Sequence, residues 1–111
     1  MAKLKDKKCV PCEGGVDPLN PDQTEELMKE LSEEWMLIDQ HRMLARTFTF
    51  KDFKQALAFA NKVGAIAEEE QHHPDMTVGY GNMGVELTTH AIGGLSINDF
   101  IVAAKIDEIT K

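Results

Sequence analysis

Residues 68–90, Glu-Glu-Glu-Gln-His-His-Pro-Asp-Met-Thr-Val-Gly-Tyr-Gly-Asn-Met-Gly-Val-Glu-Leu-Thr-Thr-His, carry the chain from the end of a helix into a hairpin. Pro74 disfavours helical backbone at His73, so the helix must stop at or before that residue. Thr77–Tyr80 and Met83–Thr89 alternate in polarity about Gly81-Asn82, which predicts an antiparallel hairpin with a two-residue turn. That turn sets Tyr80 against Met83, Val78 against Val85 and Met76 against Leu87. Continued outward, the same register brings His73 opposite His90, with Cβ atoms about 4.5–5.5 Å apart. Glu86, Thr88 and His90 take the parity opposite to Met83, Val85 and Leu87, so the former mark the wetter face.

Upstream, Lys51–Glu70 has Phe53, Leu57, Ala60 and Gly64 at helical spacing, broadened by Ala56, Phe59, Val63 and Ala67. Glu68, Glu69 and Glu70 crowd its last turn, where each carboxylate costs about 0.3–1 kcal/mol against the helix dipole. A solvated helix end tolerates that cost; the chemical reading is that it favours the imidazolium form of His72. Before it, Trp35–Ile38 and Met43–Phe50 read as strands joined by a turn at Asp39–Arg42, which leaves His41 solvated. Pro21-Asp22 opens a helix running to about Glu33, with Thr24 a further candidate cap. Downstream of Gly93-Gly94, Ser96 is the expected N-cap of the last helix and Asp99 stands at N3, a capping box. That box suffices to explain Asp99 without any chemistry. The last helix is apolar on more than one side, which predicts burial beyond one sheet face and hence a contact between copies.

The whole chain has 111 residues, the size of one domain. Its 12 Lys and Arg stand against 19 Asp and Glu, a net charge of −7 that argues against direct nucleic-acid or anionic-membrane binding. No apolar run reaches the ~18 residues of a membrane span, so a cytoplasmic location is expected. Residues 1–20 read as a flexible basic leader and 21–111 as the single folded domain, because Lys3, Lys5, Lys7 and Lys8 precede a stretch rich in Pro and Gly. Cys9-Val10-Pro11-Cys12 has no second pair and does not follow a strand. Two idle thiols are its plainest reading, with zinc binding between molecules or a reversible disulfide left open.

Three histidines in one loop-and-hairpin region suit two chemistries. A metal site with an open position is one, although the spacing matches no familiar ligand signature. Metal-free acid/base work is the other, since imidazole exchanges protons near neutral pH. No activated Ser or Cys, phosphate-cradling loop or nucleotide fingerprint competes with them.

Glu68-x-x-x-His72-His73-Pro74, Tyr80, Thr89-His90, Gly94-Leu95-Ser96 and Asp99 together resemble the signature of the pterin-4a-carbinolamine dehydratases. Trp35 and Phe48-x-Phe50-Lys51-Asp52-Phe53 are similar to its pattern too, and the resemblance spans about residues 21–109. Met76 departs from it, standing where the family more often has Trp or Ile, and Gln71 where some members have Asp. The resemblance implies an α+β fold in the order α-β-β-α-β-β-α, a four-stranded antiparallel sheet with helices on one face, forming homodimers or homotetramers. It implies loss of water from 4a-hydroxytetrahydropterin in tetrahydrobiopterin recycling, with no cofactor, since the pterin is the substrate, and no metal. By the same likeness His72 and His90 would be the acid, with His73 also in the catalytic set and holding the pterin. Pro74, Thr89 and His90 would contact the substrate, with Glu68 and Asp99 in support. Some family members act instead as dimerisation cofactors of a transcription factor or as assembly proteins, the competing expectation.

Overall fold

The computed structural model describes residues 3–10 and 17–110. Strands β1 (Met36–Ile38), β2 (Met43–Thr49), β3 (Asp75–Val78) and β4 (Asn82–Leu87) form one antiparallel sheet in the order β1-β2-β4-β3. Three helices accompany it: α1 (Pro21–Met28), α2 (Phe53–Glu70) and α3 (Ile97–Thr110). The α+β class and the element order expected from the sequence are those observed.

The central β2–β4 pair sets Leu44 against Leu87 and Phe48 against Met83, all four buried. Thr47, Thr49 and Glu86 alternate to the exposed side, so the period-2 pattern gives the sheet one apolar face. Ala56, Phe59, Ala60, Val63 and Ala67 of α2 join the same core, and Phe59 meets Phe48 with ring centroids 4.7 Å apart. Helix starts follow local chemistry. Asn20 and Gln23 form a capping box ahead of Pro21 and displace Thr24, whose hydroxyl instead bonds the Pro21 carbonyl at 2.8 Å. Asp52 caps α2 through the Gln55 N–H, so that helix begins at Phe53 and not Lys51. Helix α1 stops at Met28, short of Glu33, as the Ser32 N–H turns to the Asp107 carboxylate 2.8 Å away.

The hairpin register differs from the expectation by two positions. Val78 pairs with Met83 and Met76 with Val85, so the turn falls at Tyr80-Gly81. Asn82 cannot belong to the turn because it already pairs with Thr49, while the Phe50 N–H holds the Gly81 carbonyl at 2.8 Å. Pairing ends at Asp75–Glu86, and His73 is not brought opposite His90.

The N-terminal segment corrects a second expectation. Leu4, in a short 3-10 turn at Leu4–Asp6, is only 2% exposed and belongs to the core against α3. Lys5 pairs with Glu108 at 3.0 Å, and the Cys9 and Val10 amides are bonded to Glu70 and Asn98. The basic stretch lacked periodicity because it adds one apolar plug and a line of polar contacts to a surface built elsewhere. Cys12 lies outside the described residues. The same packing accounts for the width of α3: Phe100–Ala104 are all buried within one chain, between α2 and the N-terminal segment. Its apolar breadth therefore carries no argument for a second copy. Leu4→Ala is expected to cost about 2 kcal/mol or more, read as a lowered urea midpoint at unchanged m. An unshifted midpoint would mean that the segment contributes no core.

Candidate active site

The end of α2 sets the first two histidines. Gln71 takes left-handed backbone (φ 53°), and the His72 N–H reaches back to the Ala67 carbonyl at 3.1 Å, ending the helix as a Schellman turn. His72 Nε2 bonds Asp99 Oδ1 at 2.6 Å, and Asp99 is fully buried. Its other oxygen, Oδ2, accepts from the Thr89 hydroxyl at 2.7 Å and from the Ser96 N–H at 2.9 Å. Asp99 thus closes the expected capping box with Oδ2 and carries His72 with Oδ1. The sequence reading explained only one of the two oxygens.

His73 points to Glu68, one turn back on α2, through a short Nε2–Oε2 contact, and both side chains are well exposed. His90 comes from a 3-10 turn at His90–Ile92, closed by left-handed Gly93 and by the Thr89 N–H to Gly94 carbonyl bond of 2.9 Å. Its ring has no hydrogen-bond partner among the described residues. A cavity of about 290 Å³ is lined by His72, His73, His90 and Thr89, with Cys9-Val10 along another side. The three histidines therefore meet, through a helix end and a turn and not through strand pairing. Glu68 stands behind His73 and Asp99 behind His72, and Pro74 is not on the cavity wall. A larger cleft of about 580 Å³ lies beside Arg46 and Asp107 and holds none of these groups.

The acidic helix end divides its work in an unexpected way. None of its three glutamates bonds His72, whose carboxylate partner is Asp99. Glu70 accepts the Cys9 N–H at 2.8 Å and pairs with Lys105 at 3.3 Å. Burial alone would raise its pKa, but the Cys9 N–H and Lys105 together hold it below the usual carboxylate value. The Cys9 thiol is pushed up to about 12, first by burial and then by the Glu70 charge, so it stays protonated at neutral pH. Among the described residues no three His, Cys, Asp or Glu side chains are grouped to hold a metal ion.

A carboxylate held below its unfolded pKa stabilises above that unfolded value and ceases to do so as pH falls through the folded one. The docking of Cys9 is accordingly expected to loosen in acid below about pH 4. Hydrogen exchange at the Cys9 amide would report it: protection lost on acidification in the wild type, and already low near neutrality in Glu70→Ala. Equal protection at both pH values would remove Glu70 from this role. Sequence reasoning missed Asn98 and Val10, read Cys9 as an idle thiol, and set Glu70 to tuning His72 where the structure has it hold the Cys9 N–H. The available signal was Asn98 beside Asp99, two polar residues opening an otherwise apolar helix.

A family model described as pterin 4 alpha carbinolamine dehydratase matches residues 17–109. A relative from Nitrosomonas eutropha is 55% identical over 107 residues, covering 96% of this chain and 93% of its own. One from Nitrosomonas europaea is 52% identical over 111 residues, covering 100% and 96%. Both bear the name pterin-4-alpha-carbinolamine dehydratase as a provisional assignment. Among solved structures, a transcriptional coactivator/pterin dehydratase from Brucella melitensis superposes with a TM-score of 0.78 at 29% identity, over 86% of this chain and all of that one. A pterin dehydratase-like RuBisCO assembly factor of the alpha-carboxysome shares the fold, with a TM-score of 0.59 at 23% identity over 69% of this chain and 89% of its own. With the match running through both histidine-bearing turns and 45–55% identity recurring among relatives, this chain belongs to the pterin 4 alpha carbinolamine dehydratase family.

Proposed function

We propose that the protein dehydrates 4a-hydroxytetrahydropterin to quinonoid dihydropterin, a step of tetrahydrobiopterin recycling in the cytoplasm. The observation that carries this reading is His72 on the wall of the histidine cavity with its far nitrogen bonded to buried Asp99. Hydroxide leaves poorly, so a donor must protonate the C4a oxygen while the N5 lone pair forms the new C=N bond; a base then takes the N5 proton. Water is the only other product, and no redox or metal step is needed. An ionised Asp99 only accepts, which assigns the Nε2 proton to His72 and leaves Nδ1 for the substrate. Doubly protonated, the ring donates from Nδ1; singly protonated, it accepts there, with no rotation between the two tasks. His90 has both nitrogens unengaged among the described residues and takes the complementary proton. His73, steadied by Glu68, holds the pterin edge alongside Thr89.

The test is stopped-flow decay of the 4a-carbinolamine with and without protein. A rate no faster than buffer alone would end the enzymatic reading. An interaction role is the second reading, favoured by Phe53 and Leu57, one turn apart on α2 and 46% and 44% exposed. The printed description of the Brucella relative joins coactivator and dehydratase. Partner capture that survives loss of all three histidines but not Leu57→Glu would support it. A homodimer or homotetramer fits the family reading, and sedimentation would measure it.

A further inference from the structure

Cys9 and Val10 run along the histidine cavity, and two buried side chains pin them there. Glu70, 7% exposed, takes the Cys9 N–H. Asn98, 2% exposed, brackets the Val10 backbone: its Oδ1 accepts the Val10 N–H at 3.1 Å and its Nδ2 donates to the Val10 carbonyl at 2.6 Å. This is the pairing a neighbouring strand would offer, made by one amide. Such an anchor ordinarily accompanies a buried side chain. Val10 is instead 61% exposed and lines the cavity.

The three imidazoles and Thr88 and Thr89 make much of the wall polar, and beside Cys9 and the small Ala91, Val10 is the one branched aliphatic side chain among the described residues that line it. A pterin is a flat ring system with a hydrogen-bonding edge and broad faces, and pockets for such rings need an apolar contact on a face. Met76, at the position where the family resemblance breaks, sits on β3 and does not line the cavity. Val10 lies before residue 17, where the family match begins. Resting on the dehydratase reading, we infer that Val10 is a substrate-binding residue that packs on the ring face of the reduced pterin, and that Glu70 and Asn98 are positioning residues that hold it over the site. The clamp and the hydrogen-bonded His72–Asp99 pair share the same two helix ends. Glu70 is two residues from His72, and Asn98 is next to Asp99.

Val10→Asp, Val10→Ile and Asn98→Ala test this with two readouts, the KM and kcat of dehydration and, separately, the Kd of 7,8-dihydropterin by fluorescence titration. Val10 is exposed, so its variants should unfold at the wild-type temperature. Val10→Asp should raise KM and Kd by about ten-fold or more, with a smaller change in kcat. Val10→Ile should restore wild-type values, and Asn98→Ala should move KM and Kd in the direction of Val10→Asp. Unchanged KM and Kd in Val10→Asp would overturn the inference while wild-type dehydration stood. A wild type that bound dihydropterin through Val10 without speeding dehydration would end the enzymatic reading and leave the ring contact supported.

Discussion

His72→Ala should lower kcat/KM for dehydration of the 4a-carbinolamine by about 10²–10⁴-fold, the usual worth of a positioned acid or base. His72 has one nitrogen tied to Asp99 at 2.6 Å, and Asp99 is itself fixed by Thr89 and Ser96, so the ring is presented in one orientation. Alanine removes the proton carrier and leaves no substitute on that side. His90→Ala should lose comparably, because a proton must be delivered to oxygen and another withdrawn from N5. The double variant should fall by less than the product of the two single losses, since groups that act together on one reacting centre are not additive. Asp99→Asn separates support from chemistry: it keeps the shape but can present an amide N–H to His72 Nε2, and so should lower kcat more than it raises KM. If His72→Ala and His90→Ala both retained wild-type kcat/KM, histidine acid/base catalysis here would be wrong.

The second large effect is on stability. Asp107 of α3 accepts from the Trp35 indole at 2.7 Å, the Ser32 N–H at 2.8 Å and Arg46 Nη1 at 2.7 Å. The Arg46 and Asp107 side chains are only 10% and 13% exposed, and the guanidinium lies 4.3 Å from the Phe48 ring centroid. Arg46 Nε has no partner among the described residues, so this charge depends heavily on Asp107. Asp107→Ala strands three donors, one of them a mostly buried cation, for an expected loss of about 3–5 kcal/mol. Adding Arg46→Met removes the stranded charge and should recover part of that loss. The measurement is a double-mutant cycle by urea unfolding. A loss under about 1 kcal/mol for Asp107→Ala would mean that water replaces the carboxylate freely.

The sequence carried the element order, the apolar parity of β2 and β4, and the three histidines, because each depends on local period or on a motif. The family likeness named Glu68 and Asp99 as supporting residues, but which histidine each one meets was not legible. A carboxylate at N3 satisfies the capping pattern with one oxygen, and nothing local shows where the other points; Asp99 had to be placed against His72, 27 residues away, to reveal it. The hairpin register failed for a related reason. Gly81-Asn82 and Tyr80-Gly81 are both acceptable turns in isolation, and the choice between them is made by β2, which engages Asn82. Leu4 was invisible as core because one apolar residue among lysines has no period to read.

The segment holding Leu4 runs antiparallel along α3, from the Lys5–Glu108 pair to the Val10–Asn98 clamp, across sequence separations of 103 and 88 residues. During synthesis residues 4–10 leave the ribosome long before the helix that receives them exists. Their closure of the core must wait for α3, and contacts so distant in sequence form late. A nascent chain halted before Asn98 would carry every histidine but not the helix bearing Asp99, and its basic segment would have no berth. Emergence of α3, not local order, is then the event that completes the cavity.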